Sequence, residues 1–574
     1  MSLLKTLAKA LTGIVLLLTV IAVAIYMHFN PQADDEQAYI NARILTMDAN
    51  GHIAEAMYIK KDRIVAVGSN SDIKKRIDDR ITARDMKGAV MMPGIIDAHG
   101  HFPGSGLAAV AADLNSPPIG GVKTIADALE LLRQQVEQSP KGSWVYAFGF
   151  DDTQVAEQRF LTRLELDSVS TEHNIYVSHV SGHMGIANSM AFESVGYDNT
   201  TQAPVGGVIA LSEDGQLAGL VEENAQYPLV MNALDFGAKQ FYAMSRYASD
   251  EYLRQGVTSA QVGLANKKFI QAVSTFGQLG IYPQRVVMWP DLEAARAIRA
   301  GELSVNNIES ERVKLGALKL ITDGSIQGYT GFLGHPYHVQ AEGKDDDYRG
   351  YPTMEREELL ATVEDFHKAG WQIALHGNGD AAIDLIIEAY RLAQEKHPRE
   401  DARPIIIHAQ MTRDDQLDQF AELGMTPSFF NSHVYYWGDR HKALFMGAER
   451  AARISPMAGA KARGVPFTLH LDTPIVPMTP FLAAWSAVSR ETAGGDVLGP
   501  EQAISPMDAL RAMTIDAAWQ IFAEDDRGSI EAGKLADFIV LDRDPLISAD
   551  ALRNVQVKET FIGGVPRFQS AESP

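Results

Sequence analysis

The stretch MMPGIIDAHGHF, Met91 to Phe102, joins an apolar run, a Pro-Gly turn and two histidines one residue apart. Alternate residues of an extended chain point to the same side, so His99 and His101 can aim two imidazoles at one ion. The small Gly100 between them leaves the opposite side uncrowded. An apolar run followed by such a pair reads as a buried strand whose carboxyl end carries chemistry.

The pattern recurs downstream. ALKLIT, WQIALH, PIIIHA and PFTLHLD are short apolar runs that contain or end on Lys319, His376, His408 and Asp472. Interspersed stretches such as TIADALELLRQQVEQ, ELLATVEDFHKAG and DAAIDLIIEAYRLAQEK place apolar residues at helical spacing. Strand and helix in regular alternation predict a parallel sheet, and the number of repeats over residues 93–518 suits a closed (β/α)8 barrel. In a barrel the carboxyl ends of all strands meet on one face, so His99, His101, Lys319, His376, His408 and Asp472 become neighbours. Imidazole nitrogens with a carboxylate oxygen are donors that suit zinc or a similar divalent ion. Such an ion lowers the pKa of a bound water from about 15.7 to about 7, which yields hydroxide at neutral pH.

Both chain ends have a different character. YINARILTMDANGHIAEAMYIKKDRIVAVGS near the start, and GSIEAGKLADFIVLDRDP with VQVKETFIGGVPRF near the end, are short β-rich runs broken by turn residues. They predict one small composite β-sandwich domain from residues 31–92 plus 519–574. Ahead of it, Lys5 and Lys9 precede ALTGIVLLLTVIAVAIYM, an uncharged stretch followed by the polar HFNPQADDEQ. Residues 1–30 therefore read as a signal anchor, a membrane helix that places the catalytic body outside the cytoplasm, on the periplasmic side in a Gram-negative cell. The small-x-small AVA at Ala22 to Ala24 leaves open a cleaved signal peptide and a secreted or periplasmic product.

Composition narrows the function classes. With 574 residues, 46% hydrophobic and 22% charged, the body has the make-up of a soluble enzyme. A net charge of -22 without clustered Lys and Arg excludes a nucleic-acid partner. The absence of cysteine excludes disulfides, thiolate metal sites and a Cys nucleophile, so any metal is held by His and carboxylate. The partners expected are a small-molecule substrate, the membrane through the N-terminal helix, and a second copy of the chain in a homo-oligomer.

MPGIIDAHGH, LKLITDGSIQGYTG, LHGNGDAAID, IIIHAQ, LHLDTP and GSIEAGKLADFIVLD, in this order, resemble the amidohydrolase superfamily, specifically its amidohydrolase family 3 branch. The resemblance covers nearly the whole chain after the N-terminal segment. It implies an α/β fold, a distorted TIM (β/α)8 barrel with the composite sheet domain. It also implies a metal centre built from His99, His101, Lys319, His376, His408 and Asp472, holding one or two Zn2+. Lys319 would be carboxylated by carbon dioxide to a bridging carbamate, its alternative being an ion pair with Asp323. Asp472 is the implied catalytic aspartate, base toward water and then acid toward the leaving amine.

Substrate-contacting candidates are His183 in SGHMGIANS, Tyr329 in GSIQGYTG, and His433 and Trp437 in FFNSHVYYWGDRH, each with ordinary packing as the alternative. The branch often has Arg where Tyr329 stands, a departure that removes a cationic anchor and disfavours strongly anionic substrates. Similarity to N-substituted formamide deformylases, through FFNSHVYYWGD and HLDTP, implies hydrolysis of a C–N bond, other than a peptide bond, in an amide, formamide or cyclic amide. The alternatives are C–O hydrolysis of a lactone or ester on the same centre, and a non-catalytic exported binding protein.

Overall fold

The computed structural model describes residues 19–20, 24, 27–78, 80–341 and 343–571. Two parallel sheets carry the histidine-bearing strands. In the first, β1 (Ile95–Ile96), β2 (Val257–Ala265), β3 (Arg285–Pro290) and β4 (Val313–Leu315) lie in the order β4-β3-β2-β1. In the second, β5 (Leu318–Ile321), β6 (Ile373–Gly377), β7 (Ile405–His408), β8 (Thr426–Phe429) and β9 (Thr468–Leu469) follow one another in chain order. Every residue of β6, β7 and β8 is buried, as strands are when both faces of a parallel sheet are covered.

Register explains why the titratable side chains gather. Ile321 pairs with His376 across β5 and β6, and Gly377 pairs with His408 across β6 and β7, so neighbouring strands end level. The segments after β1 and β9 are joined directly, the His101 amide donating to the Thr473 carbonyl at 2.8 Å and the Asp472 amide to the His99 carbonyl at 3.3 Å. Helices cover the strands as their spacing predicts. Ile125–Glu137 starts on a Thr124–Asp127 capping box, and Asp380–Lys396 buries Ile383, Ile386, Ile387 and Tyr390.

Between β1 and β2 stands a six-stranded mixed sheet that the regular alternation read from the sequence does not contain. Its order is Gly207–Leu211, Leu217–Glu223, Met184–Ala187, Asn174–His179, Trp144–Phe150, Ala112–Asp113. Asn174–His179 runs parallel to Trp144–Phe150 but antiparallel to Met184–Ala187, and only hydrogen-bond pairing distinguishes it from a strand of the two parallel sheets.

The chain ends share sheets. Val90–Pro93 pairs antiparallel with Phe538–Leu541, and this six-stranded sheet also holds Arg43–Leu45, Ile53–Ala54, Val557–Ile562 and Val565–Gln569. Against it packs a four-stranded sheet containing Glu36–Ile40, with Tyr39, Met57, Met91, Phe538 and Phe561 in one buried cluster. The Phe538 and Phe561 rings stack at 4.3 Å.

The expected membrane anchor needs correction. Among the described residues no helix is long and apolar enough to cross a membrane. Neither a membrane helix nor a membrane-anchored location is therefore supported, and most of residues 1–30, on which that expectation was based, lie outside the described residues.

Candidate metal centre

His99 and His101 follow β1, and Asp472 follows β9. Asp472 Oδ1 lies 3.4 Å from His99 Nε2 and 3.2 Å from His101 Nε2, yet among the described residues that buried oxygen has no hydrogen-bond partner. One donor atom from each of these three residues falls within 4.8 Å of the other two. Lone-pair atoms brought together without a shared proton are what a cation satisfies, so the donor set fits a divalent metal.

Electrostatics favours the ligand forms. Burial pushes His99, His376 and His408 well below the usual imidazole range, which keeps them neutral. Burial opposes the charge of Asp472, but the close approach of His101 outweighs it and holds the carboxyl low. Lys319, inside β5, places Nζ 3.2 Å from His99 Nε2, and burial pushes its amine down to about 7.

His376 and His408 complete the group, their ring centres 4.5 Å apart and His408 6.0 Å from His99. Asp323 does not pair with Lys319. Its Oδ1 lies 3.1 Å from His376 Nδ1, and its carboxylate accepts the amides of Phe332, Asn378 and Gly379.

Two neighbours were not recognised from the sequence as part of the site. His470, buried, places Nε2 3.2 Å from His408 Nδ1 and its own Nδ1 2.9 Å from Ser428 Oγ. The available signal was the His-x-Asp spacing of His470 and Asp472, the same alternation as His99 and His101. Trp289, on β3, stacks on His99 at 5.1 Å, and nothing in the local sequence marked it.

The substrate-contacting candidates divide. His183 packs on His376 with ring centres 4.8 Å apart. His433 lies 6.3 Å from His408 and Trp437 5.6 Å from His433, both on the helix His433–Arg440 that follows β8. Tyr329 packs its ring against Tyr337 and Phe445. Asp380 orients loops, accepting the Gly334 amide at 2.8 Å and lying 3.3 Å from the Arg413 guanidinium.

A family model described as the amidohydrolase family matches residues 82–568. An N-substituted formamide deformylase from Arthrobacter pascens is 28% identical over 549 residues, which cover 93% of this chain and 98% of that protein. The putative amidohydrolase YtcJ of Bacillus subtilis (strain 168) is 26% identical over 544 residues, covering 91% and 97%. The crystal structure of an uncharacterized metal-dependent hydrolase from Pyrococcus horikoshii OT3 superposes with a TM-score of 0.72 at 24% identity, covering 90% of this chain and 99% of that one, a likeness of fold.

Proposed function

The chain belongs to the amidohydrolase family, and from that premise we propose that it is a metal-dependent hydrolase that cleaves a C–N bond in a small amide, formamide or cyclic amide. The two parallel sheets are read as the wall of a distorted (β/α)8 barrel spanning residues 93–518, flanked by the composite domain of residues 31–92 plus 519–574. The observation that carries the function is the convergence of His99, His101 and Asp472 beside a buried Lys319.

His99, His101, Lys319, His376, His408 and Asp472 would hold one or two zinc ions. Bound there, a divalent metal supplies Lewis-acid polarisation of a carbonyl and acidifies water. Burial leaves much of Lys319 as free amine near neutral pH. A neutral amine can attack carbon dioxide, forming an N–C bond and releasing a proton, which leaves a carbamate anion where an ammonium would repel a cation. Asp472 would take a proton from the attacking water and hand it to the leaving nitrogen, which an amide requires because an amine anion leaves poorly. His183, His433 and Trp437 provide polar groups and an aromatic surface beside the reacting carbonyl. The reading draws support from the 28% identity with the deformylase.

Metal analysis of the purified protein, together with a hydrolysis screen of formamides, N-acyl amines, cyclic amides and lactones, tests the proposal. Bound zinc that falls in the His99→Ala and His101→Ala variants, with turnover of an amide substrate, is the expected result. A metal-free active enzyme, or turnover of lactones alone, would refute it.

A further inference from the structure

Resting on the hydrolase reading above, we propose that Glu223 is the positioning residue that fixes the His183 ring, with its Nε2 side free, beside the substrate. Glu223 ends the inserted-sheet strand Leu217–Glu223 and is buried. Its Oε2 lies 2.9 Å from His183 Nδ1, and its own amide donates to the His183 carbonyl at 2.7 Å. Side chain and backbone of one residue thus clamp side chain and backbone of the other.

The clamp is braced from the opposite side. Ser181 Oγ accepts the His183 amide at 3.2 Å and lies 2.9 Å from His179 Nδ1, while His179 Nε2 lies 3.0 Å from Asp152. Arg440 and Thr153 hold the adjacent Asp151 carboxylate in place. With Nδ1 committed to Glu223, His183 has only Nε2 left for a ligand.

Two costs set Glu223 apart from a structural acceptor. Its backbone lies in the left-handed region at φ 47°, where a non-glycine residue is strained. Its second carboxylate oxygen, Oε1, is buried without a hydrogen-bond partner among the described residues, an expensive condition for a group needed only as packing. A neutral amide could fill the space and accept the same proton. A carboxylate adds charge beside a ring that packs on the candidate ligand His376.

The test compares Glu223→Ala, Glu223→Gln, His183→Ala and the double variant Glu223→Ala/His183→Ala, as full chains with zinc bound. Glu223→Ala should lower kcat on the order of tenfold with KM little changed. Glu223→Gln should recover part of the loss, and the double variant should be no slower than His183→Ala. Additive losses in the double variant, or wild-type kcat in Glu223→Ala, would overturn the proposal. Nitrogen-15 NMR of labelled histidines gives a readout independent of turnover, with the His183 signals assigned by their loss in His183→Ala. Movement of the His183 Nδ1 signal in Glu223→Ala, and a smaller movement in the near-isosteric Glu223→Gln, support the clamp, whereas unmoved signals overturn it. If the wild type hydrolyses no amide, the hydrolase reading fails by itself and the NMR result still decides whether Glu223 holds His183.

Discussion

His408 can use only one ring nitrogen for a metal, and His470 determines which. With Nδ1 of His408 3.2 Å from His470 Nε2, Nε2 of His408 is the nitrogen left. Burial pushes His470 down to about 3, so it stays neutral and orients His408 without adding charge. Partners of this kind typically contribute about 10- to 100-fold in metal affinity. His470→Ala should therefore weaken zinc binding by that factor in a chelator competition, and unchanged affinity would refute the orienting role. Asp472→Asn tests a different step. It keeps the size of the side chain but removes the proton acceptor, so kcat should fall on the order of 10²- to 10⁴-fold while circular dichroism stays native. Full activity in that variant would exclude Asp472 as the base.

At the scale of the element, the strands must leave room for the histidines they bring together. β2 passes so close to the first pair that a Cβ on Gly263 would sit 2.2 Å from His99 Cε1, and the Gly263 amide donates to the Gly100 carbonyl at 2.7 Å. With Trp289 stacked on the same imidazole, His99 has little freedom to retreat. Gly263→Ala should then cost about 1–3 kcal/mol of stability through overpacking and reduce bound zinc. A variant with wild-type denaturation midpoint and metal content would show that the ring can move. What the sequence discloses follows the same division. His376 and His408 were legible because each closes an apolar run, a local pattern. Glu223 was not, because its partner His183 lies 40 residues away across an inserted sheet whose strands, read one at a time, have the periodicity of the parallel-sheet strands. Gly263 was silent for a related reason, since its value lies in an atom it lacks beside a residue far off in the chain.

At the scale of the whole molecule, a buried ion pair helps to fasten the sheet made by the chain ends to the parallel sheets. Arg285, which opens β3, places Nε 2.7 Å from Oδ2 of Asp537, just before the strand Phe538–Leu541, with the two side chains 7% and 3% exposed. Asp537 Oδ1 also accepts the Gly563 amide at 2.7 Å, so the contact joins β3, the start of the strand Phe538–Leu541 and the turn after Val557–Ile562. Burial opposes the charge on Asp537, but Arg285 prevails and holds the carboxyl below its ordinary value. A carboxyl depressed in the folded state binds its proton more readily when unfolded. The stabilisation is therefore complete above the unfolded pKa of about 3.9 and is lost as pH falls through the folded value. Removing one partner strands a buried charge, so Asp537→Ala should lose about 3–5 kcal/mol at neutral pH. Its deficit against the wild type should shrink on acidification, and hydrogen exchange along Phe538–Leu541 should accelerate. Pairing Asp537→Leu with Arg285→Met removes both charges and should recover most of the loss. A double variant as unstable as Asp537→Ala would mean that shape complementarity at this junction, and not the charge pair, joins the chain ends to the sheets that carry the candidate metal centre.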